Sequence, residues 1–388
     1  LFGVVVLAGP AIGPTLGGFL TDGPGWRWIF FINLPFGILT VLMAMAFLPP
    51  DRDRTWGDEQ GRPLRPEGQQ RRVDWTGIAL LAAGLGSLQV VLEQGHQYDW
   101  LDNGGIRLLT LLAVAALPAF VWWELRCRAP AVDLRVLRHR SLAAGSLFSL
   151  VLGMGLYGTV FVVPIFAQTV LHYTATQTGL LMLPGALGSA CTMALLGRNA
   201  SRFDPRHLIV LGAVAMVATM LQLSALGPDT GEHSLFWPLI FRGVTTVMMF
   251  LPLSLAALGP LPKSDVGAGS GFFNLMRQLG GTFGIAVLTV VLDHQRAVHR
   301  AQLVQHLSST NPLLQERLQQ LQLWLATSAG GSAEGSAADQ ALQLLSLQVD
   351  RQAALLAYGD VFRLVALVFL LAIPLVLLLG RPPRPEAG

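Results

Sequence analysis

Apolar residues in this 388-residue chain fall into long unbroken runs, not into the alternating or one-faced patterns of a soluble domain. A membrane-crossing helix needs about 20 mostly apolar residues. Ten runs reach or approach that length: Leu1–Leu20, Trp28–Leu48, Gly77–Leu92, Ile106–Trp123, Leu142–Ala167, Gly179–Gly197, His207–Leu226, Leu235–Leu258, Gly267–Leu292 and Val361–Gly380. They predict an all-α polytopic membrane helix bundle.

The segments between the runs alternate in charge. Asp51–Trp75, Arg126–Ser141, Arg198–Arg206, Gly259–Val266 and the tail after Gly380 together hold 17 Lys or Arg. The alternate set, Thr21–Arg27, Glu93–Gly105, Gln168–Thr178 and Gly227–Ser234, holds only Arg27, with Arg107 just beyond its edge. Cytoplasmic loops carry the excess of Lys and Arg, so the first set and the C-terminus are expected in the cytoplasm. One outer segment, Asp293–Asp360, is long. Within it Asn311 and Pro312 suit a helix start, and Leu314, Leu318, Leu321 and Leu325 share a helical face. The segment reads as a helical hairpin on the outer surface, with a partly ordered loop as the alternative.

Composition narrows the function classes. The chain is 52% hydrophobic and 13% charged, about half the charge of an ordinary soluble domain. Two cysteines, Cys127 and Cys191, supply neither a disulfide framework nor metal-ligand spacing. The single lysine, Lys263, follows Pro262, so no phosphate loop is present. Gly267–Gly271 is glycine-rich but opens an apolar run, which suits close helix packing. His294, His299 and His306 lack the i, i+4 spacing of a helical zinc pair. No metal, cofactor, nucleic acid or enzymatic chemistry is expected, although a membrane enzyme with its active site in the outer segment stays open as a minor alternative. That segment offers Glu316, Glu334, Asp339 and Asp350 without a convincing pairing.

Two arginines lie inside apolar runs. Arg277 is ten residues into its run, about 15 Å deep at 1.5 Å per residue. Arg242 is seven residues from the outer end of its run, about 10 Å deep. An arginine at a helix centre costs about 2.5–3.5 kcal/mol on insertion scales, so each is expected to face a wet cavity or a counter-ion, or to bond between helices. Asn274 and Gln278 lie beside Arg277 in sequence, and Asn274, at i−3, shares its helix face. No Asp or Glu occurs within any of the ten runs. Asp22, Glu93, Glu124, Asp293 and Asp360 stand at or beyond span ends and read as interfacial anchors.

Gly9, Gly13 and Gly17 repeat every four residues and allow close helix approach, while Pro10 and Pro14 bend the first span. The string Gly9–Gly18, which ends in Gly17-Gly18, resembles the antiporter motif of major facilitator superfamily exporters. Trp26–Gly37, Val73-Asp-Trp-Thr-Gly77, Leu92-Glu-Gln-Gly95, Gln177–Pro184 and Asn274–Gly281 follow in the order of the fourteen-helix drug:proton antiporter branch. Gly197–Arg206, with Arg198, Arg202 and Asp204, resembles a degenerate copy of the superfamily's basic cytoplasmic loop motif.

That resemblance implies that the ten spans are helices five to fourteen, with the first four absent, in agreement with the lack of an initiator Met. Residues 1–50 would be the remnant of the N-terminal bundle, 51–75 a cytoplasmic loop and 76–125 the extra central helix pair. Residues 126–292 would supply five spans of the C-terminal bundle, 293–360 the outer periplasmic helical segment, and 361–388 the last span and cytoplasmic tail. The implied activity is proton-driven export of drugs or other small amphipathic molecules across a bacterial inner membrane, with a periplasmic adaptor as a possible partner. A non-transporting membrane fragment is the alternative. By the same resemblance the central cavity draws on Tyr157, Phe161, Met182, Met249 and Phe250, whose Met and aromatic side chains repack around varied apolar ligands.

Overall fold

In lipid every backbone N–H and C=O must be bonded within the protein, so apolar spans close their hydrogen bonds internally as helices. The computed structural model describes residues 13–47, 74–95, 98, 100–127, 130–199, 203–227, 232–262, 265–307, 312–328 and 334–378. Among these residues there is no strand. A helix at 13–22 (α1) leads to Trp28–Phe47 (α2), which is broken by a turn at Ile32. Next come Trp75–Gln94 (α3), Gly104–Arg126 (α4), Arg140–Thr169 (α5), Ala175–Asn199 (α6), Pro205–Ser224 (α7), Glu232–Leu258 (α8), Val266–Gln305 (α9), Pro312–Ser328 (α10) and Glu334–Ala372 (α11). Nine of the described helices are long and apolar enough to cross a membrane, and they correspond to nine of the ten expected spans. Most of the remaining run, Leu1–Leu20, lies outside the described residues, with Gly9 and Pro10 in that part.

Local sequence explains where several helices start. Asp74 caps α3 by accepting from the Gly77 amide, and Asn103 caps α4 by accepting from Gly105 and Ile106. Asp204 caps α7, with Pro205 in the first turn, where its missing N–H costs nothing. α10 begins at Pro312, and Leu314, Leu318, Leu321 and Leu325 are all partly buried on the face turned to α11.

Helices α5 to α9 and α11 pack around one core. Phe148 and Phe166 of α5, Met216 and Met220 of α7, and Phe362 and Phe369 of α11 are fully buried in it. Lipid tails are as apolar as leucine, so close packing, not exclusion of water, holds such helices together. The crossing of α5 with α9 is a backbone-to-backbone contact: a Cβ on Gly153 would overlap the Arg277 carbonyl, and one on Gly280 would overlap the Leu150 carbonyl. Helices α3 and α4 form a separate hairpin that leans on α9.

α9 has 40 residues and α11 has 39, so each runs about 60 Å, twice the roughly 30 Å of hydrocarbon. The segment 293–360 is thus built largely from continuations of the two flanking spans, and one uninterrupted helix crosses the expected boundary at 360/361. The continuations are tied together by His299 Nε2 to Asp360 at 2.7 Å and by Arg300 Nε to Asp350 at 2.6 Å. Arg351 Nε donates to the Val170 carbonyl at the end of α5.

Candidate functional site: an arginine–aromatic cluster between three helices

The α5–α9 crossing sets Arg277 in place. With backbones touching at Gly153 and Gly280, Tyr157 lies one turn along α5, and its ring rests on Gly281, where a Cβ would come within 2.5 Å. Arg277 Nη1 donates to the Tyr157 hydroxyl at 3.2 Å, and Nη2 donates to Asn274 Oδ1 at 2.6 Å. The guanidinium carbon lies 5.8 Å from the centroid of the Tyr157 ring and 5.4 Å from that of Phe250 on α8, within cation–π range of both. Arg277 Nε is buried without a hydrogen-bond partner. These partners are all neutral, so among the described residues the cluster orients the charge without cancelling it. Asn274 is exposed, and Tyr157, Phe250 and Arg277 are half-buried.

The other expected cavity residues divide. Gln278 is one position from Arg277 but turns about 100° around the helix and meets α3, lining a cleft with Gln89, Leu88 and Thr282. Met249 is fully buried and packs against Gly212 of α7, and Met182 is buried in the core, so neither faces the Arg277 cluster. Phe161 is exposed on α5. Arg242 is buried between α5 and α8, where Nη1 donates to Thr159 Oγ1 at 3.4 Å and Nε has no partner. It thus bonds between helices.

At the antiporter motif the close contact falls at Gly18. A Cβ there would overlap the Ala175 carbonyl at the start of α6, whereas Gly13 and Gly17 have nothing within 4 Å among the described residues. Thr15 Oγ1 donates to the Gly179 carbonyl at 3.0 Å beside Pro14, and Asp22 accepts from the Thr176 amide at 2.7 Å. The carboxylate therefore caps α6 from another helix. In the basic loop motif, Asp204 caps α7, Gly197 and Arg198 are exposed, Arg206 begins α7, and Arg202 lies outside the described residues.

Asp22 also predicts a pH effect. The Thr176 amide, and then the Thr176 hydroxyl, hold its carboxyl below the ordinary value. A depressed carboxyl contributes stability above its unfolded-state pKa and loses it as pH falls through the folded-state value. The α1–α6 contact is therefore expected to loosen on acidification into that range, seen as faster amide exchange at Thr176 after correction for intrinsic rates. D22N should show fast exchange at neutral pH and no further acid response, and equal protection in D22N and wild type would contradict the capping role.

Acids assigned to the interface from sequence are redistributed. Asp360 pairs with His299 and Arg363. Glu93 is exposed and accepts from Gln89. Glu124 is the correction: it is 1% exposed, so it does not anchor at a wet interface. Its position two residues before the end of an apolar helix pointed outward, but α3 and the segment 130–138 cover it. Among the described residues no group of three or more His, Cys, Asp or Glu could hold a metal ion.

Together these features define a polytopic helical membrane protein: long apolar helices, glycine-mediated crossings and a half-buried arginine–aromatic cluster. The profile of the Major Facilitator Superfamily matches residues 1–285, and the chain belongs to that superfamily. It is 31% identical to the multidrug export protein EmrB of Escherichia coli over all of this chain and 71% of that protein. Similarity extends to the colistin resistance protein EmrB of Acinetobacter baumannii, at 28% over 98% of this chain and 71% of that one. It extends also to the fatty acid resistance protein FarB of Neisseria gonorrhoeae, at 27% over all of this chain and 72% of that one.

Proposed function

We propose that this protein exports drugs or related amphipathic small molecules across a bacterial inner membrane, driven by the proton gradient. The observation that carries the reading is the Arg277 cluster. A guanidinium with neutral partners, framed by the Tyr157 and Phe250 rings, offers charge and apolar faces to one ligand at membrane depth. The names of the EmrB and FarB relatives support multidrug or fatty-acid cargo. The 17 basic residues on alternate segments support a cytoplasmic C-terminus. The two bundles would rock about a midplane site and expose it to each side in turn, with the α1–α6 contact closing one side. The hairpin formed by the end of α9, α10 and the start of α11 is the surface a periplasmic adaptor would meet.

The test is transport by the protein as its gene encodes it, reconstituted in liposomes with a lipophilic fluorescent substrate. Movement of substrate should follow an imposed pH gradient and stop when an ionophore collapses it. Transport indifferent to the gradient would reject proton coupling, and no transport with any amphipathic substrate would favour a non-transporting membrane protein.

A further inference from the structure

The base of the α3–α4 hairpin holds two carboxyl groups that the export reading does not use. A single point, where a Gly77 Cβ would stand, lies 2.5 Å from Asp74 Oδ2 and 2.7 Å from Glu124 Oε1, so the missing side chain of Gly77 is what lets the two oxygens approach. Their surroundings differ. Asp74 accepts from the Gly77 amide at 2.9 Å and, with both oxygens, from Trp123 Nε1 at 3.0 Å. Glu124 accepts from the Val132 amide at 3.3 Å, and its Oε2 is buried with no partner among the described residues.

No cation bonds to the pair among the described residues. Arg126 lies over the Trp122 ring at 4.4 Å, and Arg135 donates to the carbonyls of Leu125 and Cys127. Among the described residues, the other titratable groups that face the pair are Cys127, at the end of α4, and Asp133, a further carboxyl group. Burial works against charge on Asp74, yet the Gly77, Trp123 and Cys127 donors outweigh it and hold its carboxyl below the ordinary value. A bare buried oxygen beside an ionised neighbour is the environment that keeps the second carboxyl neutral.

We propose that Glu124 and Asp74 form a one-proton site at the junction of the α3–α4 hairpin with the segment leading into the C-terminal bundle, the proton residing on Glu124 while Asp74 is ionised. Removing that proton leaves a carboxylate with an unsatisfied oxygen facing Asp74 and Asp133. The ionised carboxylate is the stronger acceptor for the Val132 amide, so the tie between α4 and residues 130–138 tightens as the proton leaves. The site works as a clamp that is looser while Glu124 holds its proton and tightens as pH rises and the proton leaves.

The experiment is an infrared titration of the full protein in lipid nanodiscs. At neutral pH the spectrum should contain a neutral carboxylic acid carbonyl band that fades on alkalinisation and is missing from E124Q. D74N, which removes the neighbouring charge, should lower the midpoint of that fading by about one pH unit. As the band fades, amide exchange at Val132 should slow relative to its intrinsic pH dependence, and in E124Q it should not. Because Gln copies the neutral acid in shape, E124Q should fold and keep its thermal midpoint at neutral pH. The proposal is overturned by absence of the band at neutral pH, by its survival in E124Q, by an unshifted midpoint in D74N, or by failure of E124Q to fold. Loss of the band on adding sodium at constant pH would overturn it in favour of a metal-cation site.

Discussion

Replacing Arg277 by methionine is expected to cut export tenfold or more while leaving the folded protein at least as stable as the parent. The two halves of that result have separate causes. The guanidinium sits at membrane depth, where an arginine costs about 2.5–3.5 kcal/mol on insertion scales, and its partners, Tyr157 and Asn274, are neutral. Methionine removes that cost and fills similar volume against the Tyr157 and Phe250 rings. Hydrogen bonds from a charged donor are worth about 1.5–3 kcal/mol each, and 1.4 kcal/mol is a factor of ten. Losing one such bond to a bound polar group is therefore enough for the expected fall.

R277K keeps the charge but not the fork that reaches Tyr157 and Asn274 together, so it should transport at an intermediate rate. Y157F, which keeps the ring and loses only one acceptor, should be milder still. Export rates in liposomes and thermal midpoints of the same preparations separate the alternatives. If R277M lowers both, Arg277 is a helix-to-helix bond; if it lowers neither, the cluster lies off the transport path.

The second large effect concerns two glycines on one helix. G280A places a methyl group against the Leu150 carbonyl, where neither backbone can yield without separating α5 from α9. Overpacking of this kind costs about 1–3 kcal/mol. G271A on the same helix meets nothing within 4 Å, and relief of the glycine penalty in a helix should stabilise it by about 0.5–1 kcal/mol. Opposite shifts in thermal midpoint are the expected result, together with lost export in G280A, because Tyr157 and Arg277 are aligned only while α5 and α9 touch. Matching shifts would mean that the crossing is looser than described.

Much of this architecture is legible in the sequence. Leu314, Leu318, Leu321 and Leu325 predict the packed face of α10 by period alone, and Pro312 its start. Asn274 shares the Arg277 face because positions three apart must. What the sequence leaves open is the direction in which a residue of an apolar span points. Met249 and Phe250 are neighbours with the same kind of side chain, yet Met249 is sealed against Gly212 and Phe250 meets Arg277. Gln278 differs from Arg277 by one position and faces α3. Within Gly9–Gly18, the close contact among the described residues falls at Gly18, outside the four-residue repeat.

Sequence alone therefore determines that the chain spans a membrane many times, where nearly every span lies, and which charges are carried to membrane depth. Backbone groups in lipid leave a 20-residue apolar run no other solution than a helix. The tertiary structure decides which faces meet, and so which residues form the Arg277 cluster and how Glu124 comes to be buried beside Asp74. A helix that is apolar all round carries no periodic signal for its buried side. That side is set by which backbones can approach, at Gly153, Gly280 and Gly77, and only the packed molecule shows it.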